Sequence, residues 1–453
     1  MSTAELFLEP HEVEEFISDT LSDDLLHTIG DEDGPDYGLC PYISFYIYHK
    51  PGDYLLLVDK MVVIYREFSK LIDEPFQLVF KDDTQDWLPP DDKRLPRLEE
   101  FPALARKQQE ELREFWIRAT GQGDVASSAR WAFCSEVCDG GIRYTTLKLT
   151  FRHKWYKQNQ AHWQAFVKDC LAQLQPEHCY SGFEVGNGGF AILGAYESDV
   201  LERICADYFY GMDIDHTTNM GAHSFSYHRD DPLFDPEQVE GDDPSVKYEN
   251  PTLLGAGLRP PTWCFLLTPF WRAKLGKSEA AVRAELADPR IEITAVPFAV
   301  GPHNPDGEPG LWIRLGELDL HPVDKGVPDL LVKANRVIRP IRCDYLELSS
   351  LDPWDDDPNP RFDYESSLRW MRRFDSDSDW PDAEKRGHGR SGKPSRPNVP
   401  AGQPCPEAGW WHTPAAAGSR RYFNQGDTMP KIESSSYGDT YWLWDANQES
   451  PKL

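Results

Sequence analysis

The stretch "IRYTTLKLTFRHKWYKQNQAHWQAFVKDCLAQLQPEHCYSGFEV", residues 142–185, decides the fold. It opens on a β-branched and aromatic run. It passes through a polar segment whose apolar residues fall at helical spacing, and it closes on a second aromatic run. That order reads as strand, helix, strand. Upstream, "YISFYIYHK" (42–50), "DYLLLVDKMVVIYREFSKLI" (53–72) and "FQLVF" (76–80) follow the same order. Downstream, a third round runs from Trp263 to Phe298: "PTWCFLLTPFWRAKLG", then the alanine-rich "SEAAVRAELA", then "IEITAVPFAV". Ser278 with Glu279 beside it suits the start of a helix there. Repeated units of this kind predict an α+β fold, with sheet covered by helices, over residues 40–348.

The flanks differ from that body. Residues 1–39 form an acidic N-terminal segment. Residues 351–402 are charged and then rich in Gly, Pro and Ser, which is the composition of a solvated linker. Residues 403–447 carry Trp410, Trp411, Tyr422, Phe423, Tyr441, Trp442 and Trp444 among turn residues, and read as a small extension of short strands or turns.

Composition narrows the function. The chain has 453 residues and a formal net charge of −29, so nucleic acid and anionic membrane surfaces are not expected partners, whereas a basic partner is. Its beginning, "MSTAELFLEPHEVEEFISD", has neither the basic nor the apolar region of a secretory signal, and the apolar runs are too short and too charged to span a bilayer. A cytoplasmic location is expected. Nine scattered cysteines suit reduced thiols. The Cys134 and Cys138 pair has no second pair of cysteines or histidines at zinc-site spacing downstream.

The densest polar cluster is "GMDIDHTTNMGAHSFSYHRDDP" (211–232), which offers Asp213, Asp215, His216, His223 and His228 as ligands or as acid and base. It forms no recognised ligand signature, so a polar loop with incidental histidines is the plainer reading. The glycines of "YSGFEVGNGGFAILGAYE" lack the lysine and hydroxyl residue of a phosphate-binding loop and suit a turn between strands. No nucleophile elbow is present. The expectation is a protein that is not an enzyme and needs no cofactor or metal. The alternative is a metal-dependent hydrolase using Asp213, Asp215 and His216.

Two segments carry a family resemblance. "PTWCFLLTPFWRAKLG" (261–276), with its tryptophan, short apolar run and Leu-Gly helix exit, resembles the corresponding segment of bacterial type VI secretion immunity proteins. "GLWIRLGELDLHPVDKGVPDLLVKANRVIRPIR" (310–342) resembles their glycine-led strand, Gly-Glu turn and long final helix. Together they resemble the family of type VI immunity proteins for VRR-Nuc toxins across residues 40–348. The sequence departs from the family's Gly-Asp turn, having His321 to Gly326 before the final helix. In the tail, "CPEAGWWHTPA", "SRRYF", "GDTMP" and "YGDTYWLWD" resemble segments of polymorphic-toxin immunity proteins. The resemblance implies a cytoplasmic antidote without catalytic residues that binds a cognate toxin, a nuclease, and masks its active site or substrate groove. Trp410, Trp411, Arg420, Arg421 and Tyr422 are of the types enriched at binding hot spots and either anchor that partner or fasten the tail to the body. Asp213, Asp215, Asp355 and Asp356 are the acidic candidates for the same contact.

Overall fold

The computed structural model describes residues 8, 10–20, 27–28, 36–49, 52–110, 114–138, 144–186, 196–220, 254, 257–301, 304–343, 359–381, 399–413, 419–432 and 440–444. They divide into two compact units, residues 1–387 and 388–453. In chain order the first unit contains α1 (Pro10–Thr20), β1 (His27–Thr28), β2 (Asp36–Tyr37), β3 (Leu39–Ile47), α2 (Tyr54–Leu71), β4 (Leu78–Lys81), β5 (Asp86–Leu88), α3 (Phe101–Glu110) and β6 (Phe115–Thr120). It continues with β7 (Ala132–Val137), β8 (Thr145–Thr150), α4 (His153–Leu174), β9 (His178–Val185), α5 (Tyr196–Tyr208), α6 (Thr217–Met220), β10 (Cys264–Leu267) and α7 (Pro269–Leu275). It ends with α8 (Glu279–Glu285), β11 (Ile291–Val296), β12 (Gly310–Leu315), α9 (Asp329–Ile338) and α10 (Tyr364–Met371).

All three strand-helix-strand rounds form, and they build one ten-stranded sheet in the order β11-β12-β10-β9-β3-β8-β7-β6-β4-β5. Every neighbouring pair is antiparallel. The two strands of each round nevertheless run parallel, because other strands lie between them. β3 separates β8 from β9, β12 separates β10 from β11, and β8, β7 and β6 separate β3 from β4. The round is thus a crossover whose gap is filled by strands from elsewhere in the chain.

Register sorts the faces. Ile43, Leu149, Phe133 and Ala119 lie opposite one another across four strands and point to one face. Phe68 of α2 meets Phe133 there, with ring centroids 6.1 Å apart, and Trp163 of α4 meets Phe151 at 4.0 Å. α2 buries Leu57, Val58, Met61, Val62, Ile64 and Phe68, and α4 buries Trp163, Val167, Cys170, Leu171 and Leu174. These sets recur at helical spacing, and burying each such side chain contributes about 1.5–3 kcal/mol. In the third round, Ser278 caps α8 by accepting from the Ala281 N–H, and Gly276 ends α7 in the left-handed conformation (φ 67°) that favours glycine. All nine cysteines are buried, and none is in a disulfide.

The flanks depart from the sequence reading. The 1–39 segment is not separate from the body, since Leu8, Val13, Phe16 and Ile17 join the main hydrophobic core. The 351–402 stretch is not uniformly a solvated linker, since Phe362, Trp370, Met371, Phe374 and Trp380 join that core as well. Charged residues conceal this segment's apolar content in the sequence, yet their stems and planes lie on its rings. Arg373 sits 4.0 Å over Trp370, and Arg203 of α5 sits 4.8 Å over Trp380. The division into units falls later, between Gly387 and His388.

The second unit is a four-stranded antiparallel sheet, β13 (Val399–Pro400), β14 (Gly409–His412), β15 (Arg421–Phe423) and β16 (Tyr441–Trp444), in the order β13-β16-β14-β15. It has its own core of Val399, Cys405, Trp411, Phe423, Met429 and Trp442. Its aromatics therefore pack on one another.

Trp380 discriminates core from linker. Trp380→Ala is expected to cost about 3–5 kcal/mol in urea unfolding, the range for truncating a buried tryptophan. An unchanged midpoint would mean that the 359–381 segment contributes nothing to the fold.

Candidate functional site

Opposite the helical face, the alternate residues of the central strands are polar. Lys148 of β8, Ser44 of β3 and Tyr180 of β9 lie in one cross-strand row, flanked by Tyr42 and Tyr46 of β3 and Glu184 of β9. Over this row runs the segment that carries Asp213, Asp215 and His216. It is fixed by the Asp213 N–H, which donates to the Phe183 carbonyl at 2.7 Å.

The carboxylates find one central cation. Arg259 donates from Nη2 to Asp213 Oδ1 at 2.6 Å and to the Ile214 carbonyl at 2.6 Å, and from Nη1 to Asp215 Oδ2. Its guanidinium lies 4.8 Å over the Tyr180 ring, and the Tyr180 hydroxyl accepts from the Arg259 N–H at 3.1 Å. Asp215 also accepts from Ser44 at 2.6 Å and from Tyr46 at 2.9 Å, while Tyr42 donates to Asp213. Lys148 pairs with Glu184 at 2.6 Å and donates to the Asp215 carbonyl at 2.5 Å. All these residues are buried.

Titration follows from this arrangement. Burial works against the Asp215 carboxylate, but Arg259, Lys148 and the Ser44 and Tyr46 hydroxyls outweigh it and hold its pKa below the ordinary range. Burial works against the Lys148 ammonium as well, and Glu184 and Asp215 outweigh it, leaving its pKa raised. His216 turns away from the two aspartates. Its Nε2 lies 3.0 Å from both oxygens of Glu202 on α5, and Glu202 overcomes the effect of burial to raise its pKa.

The sequence-derived candidates are thus partly brought together. Asp213 and Asp215 share one cation in the interior, so neither is displayed to a partner, contrary to the expectation of a surface contact. His216 belongs to a different pair. His223, His228, Asp355 and Asp356 lie outside the described residues. In the tail, Trp411 is buried in the unit's own core, whereas Trp410 and Tyr422 pair across β14 and β15 on the opposite face. Their ring centroids lie 5.8 Å apart, and the Arg420 guanidinium is 4.4 Å over Trp410. Tyr422 is 52% exposed. Arg421 is also exposed, with its guanidinium 5.1 Å from the Trp442 ring.

Sequence reasoning missed Lys148, Glu184 and Arg259. A signal existed: "TTLKLTF" and "SGFEV" each place a charge within an apolar strand pattern. A strand covered by protein on both faces needs a counter-charge at such a position. Among the described residues, two groups bring metal-ligating atoms within 4.8 Å of one another: Asp199, Glu202 and His216, and Glu114, Glu136 and Cys138. Neither contains Asp213 or Asp215, whose neighbour is Arg259.

No protein-family profile matches the chain, and no curated protein matches it. Among solved structures, the fold is similar to that of the Pseudomonas aeruginosa T6SS protein PA0821. The TM-score is 0.55 at 14% sequence identity, covering 80% of this chain and 89% of that one. At that identity the likeness is one of fold. No helix among the described residues is long and apolar enough to cross a membrane.

Arg259→Met leaves two buried carboxylates without their cation and is expected to destabilise the protein by about 3–5 kcal/mol in urea unfolding. Adding Asp213→Asn and Asp215→Asn to that variant should restore part of the loss. For His216 the sign runs the other way from an acid. Its folded pKa is raised, so the stabilisation is full below the unfolded value of about 6.5 and is lost as pH rises through the folded value. The stability difference between wild type and His216→Gln, measured by urea unfolding across that interval, should shrink as pH increases.

Proposed function

We propose that this chain is a cytoplasmic, non-enzymatic immunity protein that binds and neutralises a cognate nuclease toxin of a type VI secretion system. The observation that carries the reading is the fold likeness to a T6SS protein over most of both chains. The immunity-family resemblance of residues 261–276 and 310–342 points to the same secretion system.

Charge supports the choice of partner. A nuclease groove is basic because it holds phosphate, and a protein of net charge −29 meets such a surface with long-range attraction. By masking the groove, the chain denies the toxin its substrate. The cluster of exposed Tyr422 with half-buried Trp410 and Arg420 offers aromatic and guanidinium groups of the kind that dominate binding energy.

The hydrolase alternative requires Asp213, Asp215 and His216 to converge on a metal. Arg259 stands between the two aspartates, and His216 pairs with Glu202, so the geometry favours the binding reading.

The test uses the catalytically inactivated polypeptide encoded beside this chain's gene. Stopped-flow association should slow about tenfold or more between roughly 0.05 and 0.5 M salt, because the Debye length falls through about 8 Å at physiological ionic strength. Dissociation should change much less. Expression of this chain in the cytoplasm should protect cells that make the active toxin. Absence of both binding and protection would overturn the proposal.

A further inference from the structure

The strands β3, β10 and β11 run parallel to one another, so all three leave the sheet at the same end, β3 and β10 to begin their crossovers and β11 to turn back into its neighbour β12. Where several chains turn away from one sheet edge, their connections diverge and leave a crevice. A cleft of about 500 Å³ lies there, bounded by residues that follow β3, β10 and β11 and by the first two turns of α2.

Its walls are unusually apolar for a surface of this protein. Leu56 of α2 is 54% exposed and Val300, after β11, is 72% exposed, and both line the cleft with the half-buried rings of Phe270 and Phe298. The apolar strip continues along α2 to Val63, which is 41% exposed and lies two turns beyond Leu56 on the same side. Leu56, Val63 and Val300 are three of the five exposed large hydrophobics among the described residues. Exposed apolar surface gathered in this way and rimmed by polar groups marks an interaction site.

Charge indicates what fits it. Asp53 and Asp59 lie three residues to either side of Leu56, on the same side of α2. The described cation in the cleft is Lys60, which is half-buried. Burial lowers its pKa, and Asp53 opposes that shift. An apolar socket flanked by carboxylates, in a chain of net charge −29, complements an apolar side chain carried beside lysine or arginine.

We infer that this cleft is the anchor socket for the toxin: a basic loop of the toxin inserts a leucine-sized or aromatic side chain between Leu56 and Val300, and its adjacent cation meets Asp53 and Asp59. This rests on the immunity reading above and names the surface that serves it. The acidic field brings the partner in, and the socket then sets how long it stays.

The experiment measures binding of the full-length chain to the inactivated polypeptide encoded beside its gene. Leu56→Lys with Val300→Lys adds two charges at exposed positions and should weaken binding about 100-fold, mostly through faster dissociation, with an unchanged urea midpoint. Asp53→Asn with Asp59→Asn should slow association a few-fold at low salt. If wild type binds the toxin and the lysine variant binds equally well, the socket is refuted and the immunity reading stands. If wild type binds no toxin, both fall. A wild-type dimer in sedimentation that the lysine variant abolishes, with toxin binding unaffected, would assign the cleft to a second copy and overturn the inference. Should the lysine variant lose folded signal, Leu56→Ser with Val300→Ser replaces it, with a smaller but still measurable loss expected.

Discussion

The guanidinium of Arg259 is the constraint around which the sheet's polar face is organised. Asp213 and Asp215 reach it from one segment, while Tyr42, Ser44, Tyr46 and Tyr180 reach the same charges from the sheet beneath. Lys148 and Glu184 complete the arrangement. Each ion is costly to remove from water, and the cost is offset only while its partners stay in place. The segment above the sheet is thereby held at one position. A hydrophobic contact would tolerate a slide of one residue, whereas these hydrogen bonds do not.

That interior network and the exposed surface divide two tasks. Buried charges set the shape of the body and are screened from any partner, so they contribute little to long-range attraction. The net charge of −29 must act through carboxylates elsewhere on the molecule. In the proposed complex, the apolar side chains at the sheet's end and the aromatic pair in the tail would supply the short-range, non-directional contacts that charge alone lacks. The second unit has a hydrophobic core of its own and is packed separately from the first.

The three rounds of strand, helix and strand were legible because their signals are local: apolar spacing, the Ser278 cap and the Gly276 exit. Strand order was not, because local signals do not say which strand fills a crossover, and β3, which fills the gap between β8 and β9, lies far away in the chain. The segment from Phe362 to Trp380 was misread for a different reason. Composition counts Arg369 and Arg373 as solvated, although Arg373 lies flat against Trp370 and is buried. At the site, Asp213, Asp215 and His216 stood out as a polar cluster. Their meaning depended on Arg259, separated from Asp215 by 44 positions, and on a lysine and a glutamate hidden in apolar strands. No local pattern joins such residues.

The interleaved crossovers also bear on how the chain acquires its structure. A simple crossover can pair its two strands as soon as both are made. Here β8 and β9 cannot pair with each other, because β3 occupies the place between them. β3 in turn waits for both neighbours, and its bond from Ser181 to the Tyr42 carbonyl spans 139 positions. The centre of the sheet is therefore strongly non-local, and loop-closure entropy must be met before its contacts reward it. Synthesis from the N-terminus leaves β3, one of the most apolar strands, unpaired until β8 emerges.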